Sequence, residues 1–245
     1  MRMLKESEDA MGQSFWDRHT GKNHDGHVIE REDGFVDIDH MVSYFLEYRD
    51  WSSEEKKAMR FCRGRVLDVG CGAGKHAIRI QGKGMDVLGI DNSPLALKVC
   101  RERGLKRTKC MAADEVDARL GQFDTIIMMG NNFGLFENPA KARRMLEAFH
   151  GATSARARIL AQTMDTYATK KGEHLDYQAY NRKRGRMSGQ IKLRIRYKKL
   201  ATPWFDYLIV SRSEMKAILK GTGWKVSKFI GKGASYIAVI EKSKR

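Results

Sequence analysis

Three glycines at alternate positions, Gly70, Gly72 and Gly74, close the run Arg65-Val-Leu-Asp-Val-Gly-Cys-Gly-Ala-Gly-Lys75, and Asp68 stands two residues before the first of them. A second apolar run, Val87-Leu-Gly-Ile90, ends in another acid, Asp91. Glycine accepts positive φ and lets a ligand approach the backbone closely. A helix opening after Gly74 aims free N–H groups and a positive dipole end at that ligand. An acid about 20 residues past the glycines is placed to accept from ribose hydroxyls. The pattern therefore reads as strand, turn, helix, strand, with an adenosine-type cofactor at the end of a doubly wound sheet. Cys71 sits inside the turn, where a small residue suffices and the backbone does the binding.

The third glycine comes one residue earlier than in the dinucleotide fingerprint G-x-G-x-x-G. With Asp68 ahead of it, this spacing resembles the class I S-adenosylmethionine-dependent methyltransferases. The likeness continues through Asp91-Asn92-Ser93-Pro94, then Ala113-Asp114, then Phe123-Asp-Thr-Ile-Ile-Met-Met129 with Gly130-Asn131-Asn132 after it. It spans residues 60–165 and resumes over 213–242. The resemblance implies an α/β fold, a Rossmann-like doubly wound sheet of seven strands, and S-adenosylmethionine as cofactor. Gly70, Cys71, Gly72 and Gly74 would then lie beside its methionyl and ribose portions. Asp68 would orient the loop or meet the amine through water, and Asp91 would hold the ribose. Asn92 and Ser93 would flank the adenine, Asp114 would accept from its amino group, and Gly130 and Asn131 would face the sulfur. The chain also resembles a group of stand-alone bacterial and archaeal members that share the Gly-Asn-Asn and a Thr202-Pro-Trp-Phe-Asp206-like hairpin. That likeness gives the reaction and leaves the acceptor open.

Methyl transfer from a sulfonium is an in-line displacement with a good leaving group, so the protein chiefly supplies proximity and orientation. A base is needed only where the acceptor must lose a proton. The candidates for work on the acceptor are Asn131, Asp165, Tyr167, His174, Arg194 and Arg196. Asn131-Asn-Phe-Gly134 lacks the Pro-Pro of enzymes that methylate planar amino groups, and no Pro-Cys pair is present for cytosine C5 chemistry. The four cysteines form no C-x-x-C pair, so no metal site is expected.

The elements that must position these residues alternate. Strands are expected over 65–71, 86–91, 107–112, 123–129 and 157–163, with helices over 74–82, 94–103 and 140–150. A helix over 213–220 and strands over 224–230 and 235–241 close the chain. Residues 166–212 break the rhythm and show no clear crossover helix. Within them Gln190-Ile-Lys-Leu-Arg-Ile-Arg-Tyr-Lys198 alternates strictly as a strand with a cationic face, and Trp204–Val210 is its expected partner. Ahead of the sheet, Met41/Phe45 and Tyr44/Tyr48 stand at helical spacing, Ser52 reads as an N-cap, and Gly21–Gly34 reads as a loop. The expected organisation is an N-terminal helical cap over 1–60, acting as a lid, and a methyltransferase domain over 61–245 with a substrate-side β-hairpin insert at 166–212.

The 245 residues carry a net charge of +16, with 42% hydrophobic and 31% charged residues. This is a globular composition with no apolar run of membrane length and no signal-peptide pattern, so a cytoplasmic protein is expected. Strong positive charge attracts polyanions without identifying one. The leading acceptor is a small molecule, anionic if the arginines of the insert grip it. RNA docked on 182–199 is the alternative, and a protein that holds the cofactor without catalysis is the third reading.

Overall fold

The computed structural model of the chain describes residues 2–22 and 26–243. It begins with helix α1 (Ala10–His19), the strands β1 (Gly26–Arg31) and β2 (Val36–His40), the one-turn helix α2 (Val42–Phe45) and helix α3 (Ser53–Met59). The alternating core follows as β3 (Val66–Val69), α4 (Lys75–Gln81), β4 (Val87–Asp91), α5 (Pro94–Glu102), β5 (Thr108–Cys110), β6 (Phe123–Met128), α6 (Pro139–Gly151) and β7 (Thr153–Met164). The insert supplies α7 (Gly172–Lys183), β8 (Gln190–Tyr197), β9 (Leu200–Ala201) and β10 (Phe205–Leu208). Helix α8 (Arg212–Leu219) and strands β11 (Trp224–Ile230) and β12 (Ser235–Lys242) complete it.

The main sheet runs β11-β12-β7-β6-β3-β4-β5. Its neighbours from β7 to β5 are parallel, and β12 enters antiparallel between β7 and β11. Both faces are covered, so the central strands are wholly buried. Successive side chains of β3 feed opposite cores: Leu67 and Val69 join Phe149, Met215 and Trp224, whereas Val66 joins Ala77, Ile80 and Leu97. Local signals start the helices as expected. Ser52 and Glu55 close a reciprocal capping box at 3.1 Å in each direction, and Ser93 and Asn138 cap helices whose first residues are Pro94 and Pro139.

A second sheet, ordered β10-β8-β1-β2 with β9 on β8, differs from the expected pair of separate covers. Gly21–Gly34 is not a continuous loop, because β1 occupies Gly26–Arg31 and pairs antiparallel with both β2 and β8. Its sequence, Gly-His-Val-Ile-Glu-Arg, is too polar to announce a strand. The partner β8, more than 150 residues away, supplies the pairing. The N-terminal region is thus part helix and part sheet. Helix α7 likewise lies where no helix was expected. Its inward face is polar, Tyr177, Gln178 and Asn181, so it lacks an apolar stripe. Those side chains bond instead to Glu32, to the Thr166 carbonyl and to the Ser188 and Gln190 carbonyls. The aromatic spacing at 41–51 does not make one helix: the chain leaves helical geometry at Leu46, after Tyr44 and before Tyr48.

Helix α1 is fastened to the main domain through Asp9, which is 1% exposed. Asp9 caps its own helix by accepting from the Gly12 N–H at 3.0 Å and accepts from the Ser93 hydroxyl at 2.7 Å and the Leu95 N–H at 3.1 Å. Asp9→Ala removes one buried acceptor shared by two helix starts. It is expected to destabilise the protein by about 2–3 kcal/mol, which lowers the melting temperature by roughly 4–12 °C for a chain of this size in calorimetry. An unchanged melting temperature would show that α1 is held by its apolar contacts alone.

Candidate active site

The strand order reverses between β3 and β6, and ligands of doubly wound sheets sit beyond the carboxyl ends of strands at such a switch point. The turn after β3 has φ of +72°, +53° and +81° at Gly70, Gly72 and Gly74. It is folded back on β4 by the Gly70 and Cys71 N–H groups, which donate to the Ile90 carbonyl at 2.9 and 3.0 Å. Asp91 accepts from the Gly72 N–H and the Ser93 N–H, each at 2.9 Å. After β6, Gly130 is open to the crevice and Asn131 is also left-handed, at φ +65°. The Asn132 amide reaches across, donating to the Val69 and Gly70 carbonyls at 3.0 and 2.8 Å. A Cβ on Gly70 would stand 2.6 Å from that amide nitrogen, so the crossing requires glycine there.

Two buried oxygens at this crevice have no partner among the described residues, Asp68 Oδ2 and Asn131 Oδ1. Burial, with the Asp91 charge nearby, pushes the Asp68 carboxyl up to about 8. Burial also raises Asp91 to about 6, against the two backbone N–H groups that favour its charged form. Orphaned acceptors and a low-dielectric pair of carboxylates at a glycine turn suit a cationic ligand with a ribose diol and an ammonium group. S-adenosylmethionine fits this donor and acceptor set, with Asp91 for the diol and Asp68 and Asn131 for the ammonium.

Other residues expected at the cofactor have different engagements. The Cys71 side chain turns into the core, 3.8 Å from the Cys100 sulfur, so only its backbone belongs to the turn. Asn92 gives its amide to the Arg2 carbonyl at 3.0 Å and its own carbonyl to the Leu4 N–H at 2.9 Å. The Ser93 hydroxyl is 2.7 Å from Asp9 and caps α5 through the Ala96 N–H. Both therefore hold the N-terminal segment. Asp114 meets Lys141 at 2.5 Å, and burial, which raises its pKa, is outweighed by that contact.

The second sheet and α1–α2 roof the crevice. The Phe15 and Tyr44 rings lie against Gly72, 3.5 and 3.8 Å from where its Cβ would be. Tyr44 donates to Asp39 Oδ2 at 2.5 Å, and His27 Nε2 stands 3.5 Å from the same oxygen. Burial alone would raise Asp39, but the nearby His27 ring and the Tyr44 hydroxyl hold it below the usual range. Tyr207 donates to the Asn131 carbonyl at 2.7 Å and packs on Gly134. Burial and then the Asp39 charge raise both phenols, so each keeps its proton at neutral pH. His27, Asp39, Tyr44 and Tyr207 carried no sequence signal of function. They come from four separate elements and share no motif.

Of the residues expected to act on the acceptor, Asn131 stands at the crevice, while the others are engaged elsewhere. Arg194 grips Glu30 through two bonds of 2.9 Å and lies over the Trp204 ring, and Arg196 shares Glu30 at 3.2 Å. Arg184 and Arg186 meet Glu32 and Asp206 at 2.9 and 2.5 Å. The register Glu30↔Arg194 of β1 on β8 makes this neutralisation, so the expected anion grip is a row of internal ion pairs. His174 Nδ1 takes a bond of 3.0 Å from Arg31, and burial and then that charge lower its pKa. Asp165 caps a short turn through the Tyr167 N–H, and the exposed Tyr167 donates to Glu214 at 2.8 Å.

A family model described as a methyltransferase domain matches residues 66–154. A glycine/sarcosine N-methyltransferase of Halorhodospira halochloris is 33% identical over 143 residues, which are 52% of this chain and 51% of that protein. A magnesium-protoporphyrin O-methyltransferase of Rhodobacter capsulatus is 33% identical over 69 residues, 26% of this chain and 31% of that one. The chain thus spans about half or less of the length of these curated relatives. In fold it is similar over 99% of its length to an S-adenosylmethionine-dependent methyltransferase of Bacteroides fragilis solved with S-adenosyl-L-homocysteine. That likeness covers 98% of the solved chain with a TM-score of 0.84 at 24% identity.

Two outcomes follow from the crevice. Asp91→Ala should weaken S-adenosyl-L-homocysteine binding by about 1.5–3 kcal/mol for each lost bond to the charged group, roughly 10- to 150-fold in Kd by titration calorimetry. Unchanged affinity would place the ribose elsewhere. The Asp68 carboxyl ionises near pH 4 in the unfolded chain and near 8 when folded. Over that window the unfolded state has shed a proton that the folded state keeps, so stability falls as pH rises and levels off above it. Asp68→Asn should flatten the fall in melting temperature of the ligand-free protein between pH 4 and 8; an identical slope in both proteins would refute the assignment.

Proposed function

We propose that this chain, which belongs to the class I S-adenosylmethionine-dependent methyltransferases, methylates the nitrogen of a small amine. The observation that carries the reading is the chemistry of the roof over the switch point. It presents the Asp39 carboxylate and the oxygens of Tyr44 and Tyr207, groups that accept from an N–H, while Arg186 and Arg194 of the insert are consumed in ion pairs. The similarity to a glycine/sarcosine N-methyltransferase over half of the chain agrees with a nitrogen acceptor.

When bound, the cofactor supplies an electrophilic methyl group on sulfonium. The protein's share is to align and to dry the site. Asp68, Asp91 and the glycine turn hold the donor. Asn132 fixes the spacing of the β3 and β6 ends by its bonds to Val69 and Gly70. Phe15, Tyr44 and Tyr207 close the crevice from above and exclude water. An RNA acceptor draws less support, because Arg194 and Arg196 are already occupied by Glu30.

The test is transfer of label from radioactive S-adenosylmethionine to glycine, sarcosine, ethanolamine and total RNA, each offered separately. Label in one or more of the amines is the expected result. Label confined to a nuclease-sensitive product would establish an RNA enzyme. No label anywhere, with tight cofactor binding, would favour a protein that holds the cofactor without catalysis.

A further inference from the structure

We propose that Tyr44, Asp39 and His27 form a proton outlet that takes the hydrogen displaced from the acceptor amine, an inference that rests on the amine reading above. The three lie on the roof of the crevice. Tyr44 packs on Gly72 of the cofactor turn, and Tyr207, held on the Asn131 carbonyl, lies within electrostatic reach of Asp39. The register of the β1–β2 hairpin sets His27 directly opposite Asp39, so both side chains leave the same face of the sheet. The Tyr44 hydroxyl and His27 Nε2 then converge on one oxygen, Asp39 Oδ2, at 2.5 and 3.5 Å.

The tautomer of His27 follows from its other neighbour. The Ser14 hydroxyl donates to the Met11 carbonyl at 2.7 Å, which leaves its oxygen to accept from His27 Nδ1 at 3.1 Å. With hydrogen on Nδ1, the basic Nε2 faces a carboxylate oxygen, lone pair against lone pair, in a ring with no solvent exposure. Among the described residues Nε2 has no hydrogen-bond partner. A proton placed between Nε2 and Oδ2 turns that repulsion into a charge-assisted hydrogen bond. The pair is therefore a buried proton sink, and the Tyr44 hydroxyl is the arm that links it to the roofed crevice.

In the step itself, the nitrogen lone pair of the acceptor forms the N–C bond as the S–C bond breaks, and that electron pair stays on sulfur. The proton left on nitrogen passes to Asp39, directly or by way of the Tyr44 hydroxyl, and comes to rest between Oδ2 and His27 Nε2. Asp39 and Tyr44 act on the acceptor; His27 is a positioning residue that acts through Asp39. The titratable groups that face Asp39 are His27 on β1, His40 next to it on β2, Tyr44 on α2 and Tyr207 on β10.

The test compares wild type with Tyr44→Phe, Asp39→Asn and His27→Gln. Rates with sarcosine are measured from pH 6 to 10, S-adenosyl-L-homocysteine affinity by calorimetry, and the His27 ring by ¹⁵N NMR. Asp39→Asn should lower kcat about 100-fold, the usual scale of a lost general base, with cofactor-product affinity retained. His27→Gln should move the acid limb of the pH profile, and the ¹⁵N shifts of the wild-type ring should show hydrogen on Nδ1 and none on Nε2. Tyr44→Phe keeps the ring on Gly72 and tests the hydroxyl alone, should the charge-changing variants fail to fold. Wild-type kcat and pH profile in all folded variants, or hydrogen found on Nε2 and not on Nδ1, would overturn the relay while leaving the amine reading intact. No transfer by wild type to any amine would overturn the reading instead, and the ¹⁵N shifts would still decide whether Nε2 is bare and the pair is a proton sink.

Discussion

The antiparallel pairing of β1 with β8 is the contact on which the working half of this molecule depends. A two-stranded hairpin such as β1–β2 is marginal in water by itself. Joined to β8, it becomes part of a sheet that also carries β10, so Asp39 and Tyr207 are held by one rigid body. The same pairing places Glu30 opposite Arg194, and the bidentate bond between them fixes the register. A slip of one residue would turn every side chain to the other face. The ion pairs of Glu30 with Arg194 and Arg196 would then be lost together.

That register also explains where the positive charge of the chain does and does not act. Charge in bulk says little about a surface until the acids are located. Around the insert, Glu30, Glu32 and Asp206 consume the arginines. Cations concentrate instead beside the β4–β5 edge, where Arg101, Lys106, Arg107, Lys109 and Arg119 line a cleft and Asp86 and Asp117 offset only part of them. This edge is at the opposite end of the strands from the glycine turn, because Arg107 precedes β5 while Gly70 follows β3. This cationic cleft therefore lies away from the crevice where the acceptor would sit.

What the sequence disclosed, and what it hid, divides along the same line. The β3–α4–β4–α5 unit is legible because local propensity, glycine spacing and caps all agree with its tertiary place. Asp68, Gly70, Gly72 and Asp91 follow from that short stretch and meet in the crevice. β1 and α7 are hidden because their stability is not local: one needs a strand far along the chain, and the other turns amides and a phenol inward where apolar residues would have marked a helix. The arginines of β8 were legible as a cationic face, but their partners on β1 were not, so a paired row looked like a binding surface. His27, Asp39 and Tyr44 are unreadable for the same reason. Their meeting is created by a hairpin whose own existence the local pattern does not announce.

The crevice shows how binding and stability become one quantity. Asp68 lies near enough to Asp91, and deep enough, that the Asp91 charge makes it harder to ionise, and burial raises Asp91 as well. A protein without a ligand carries that repulsion as lost stability, since an unfolded chain would ionise both carboxyls freely. A cationic ligand that supplies donors to Asp68 and Asn131 removes the repulsion and satisfies two orphaned oxygens at once. Its binding energy then includes relief of a strain that the apo fold already holds, and it stabilises the fold in proportion to its occupancy.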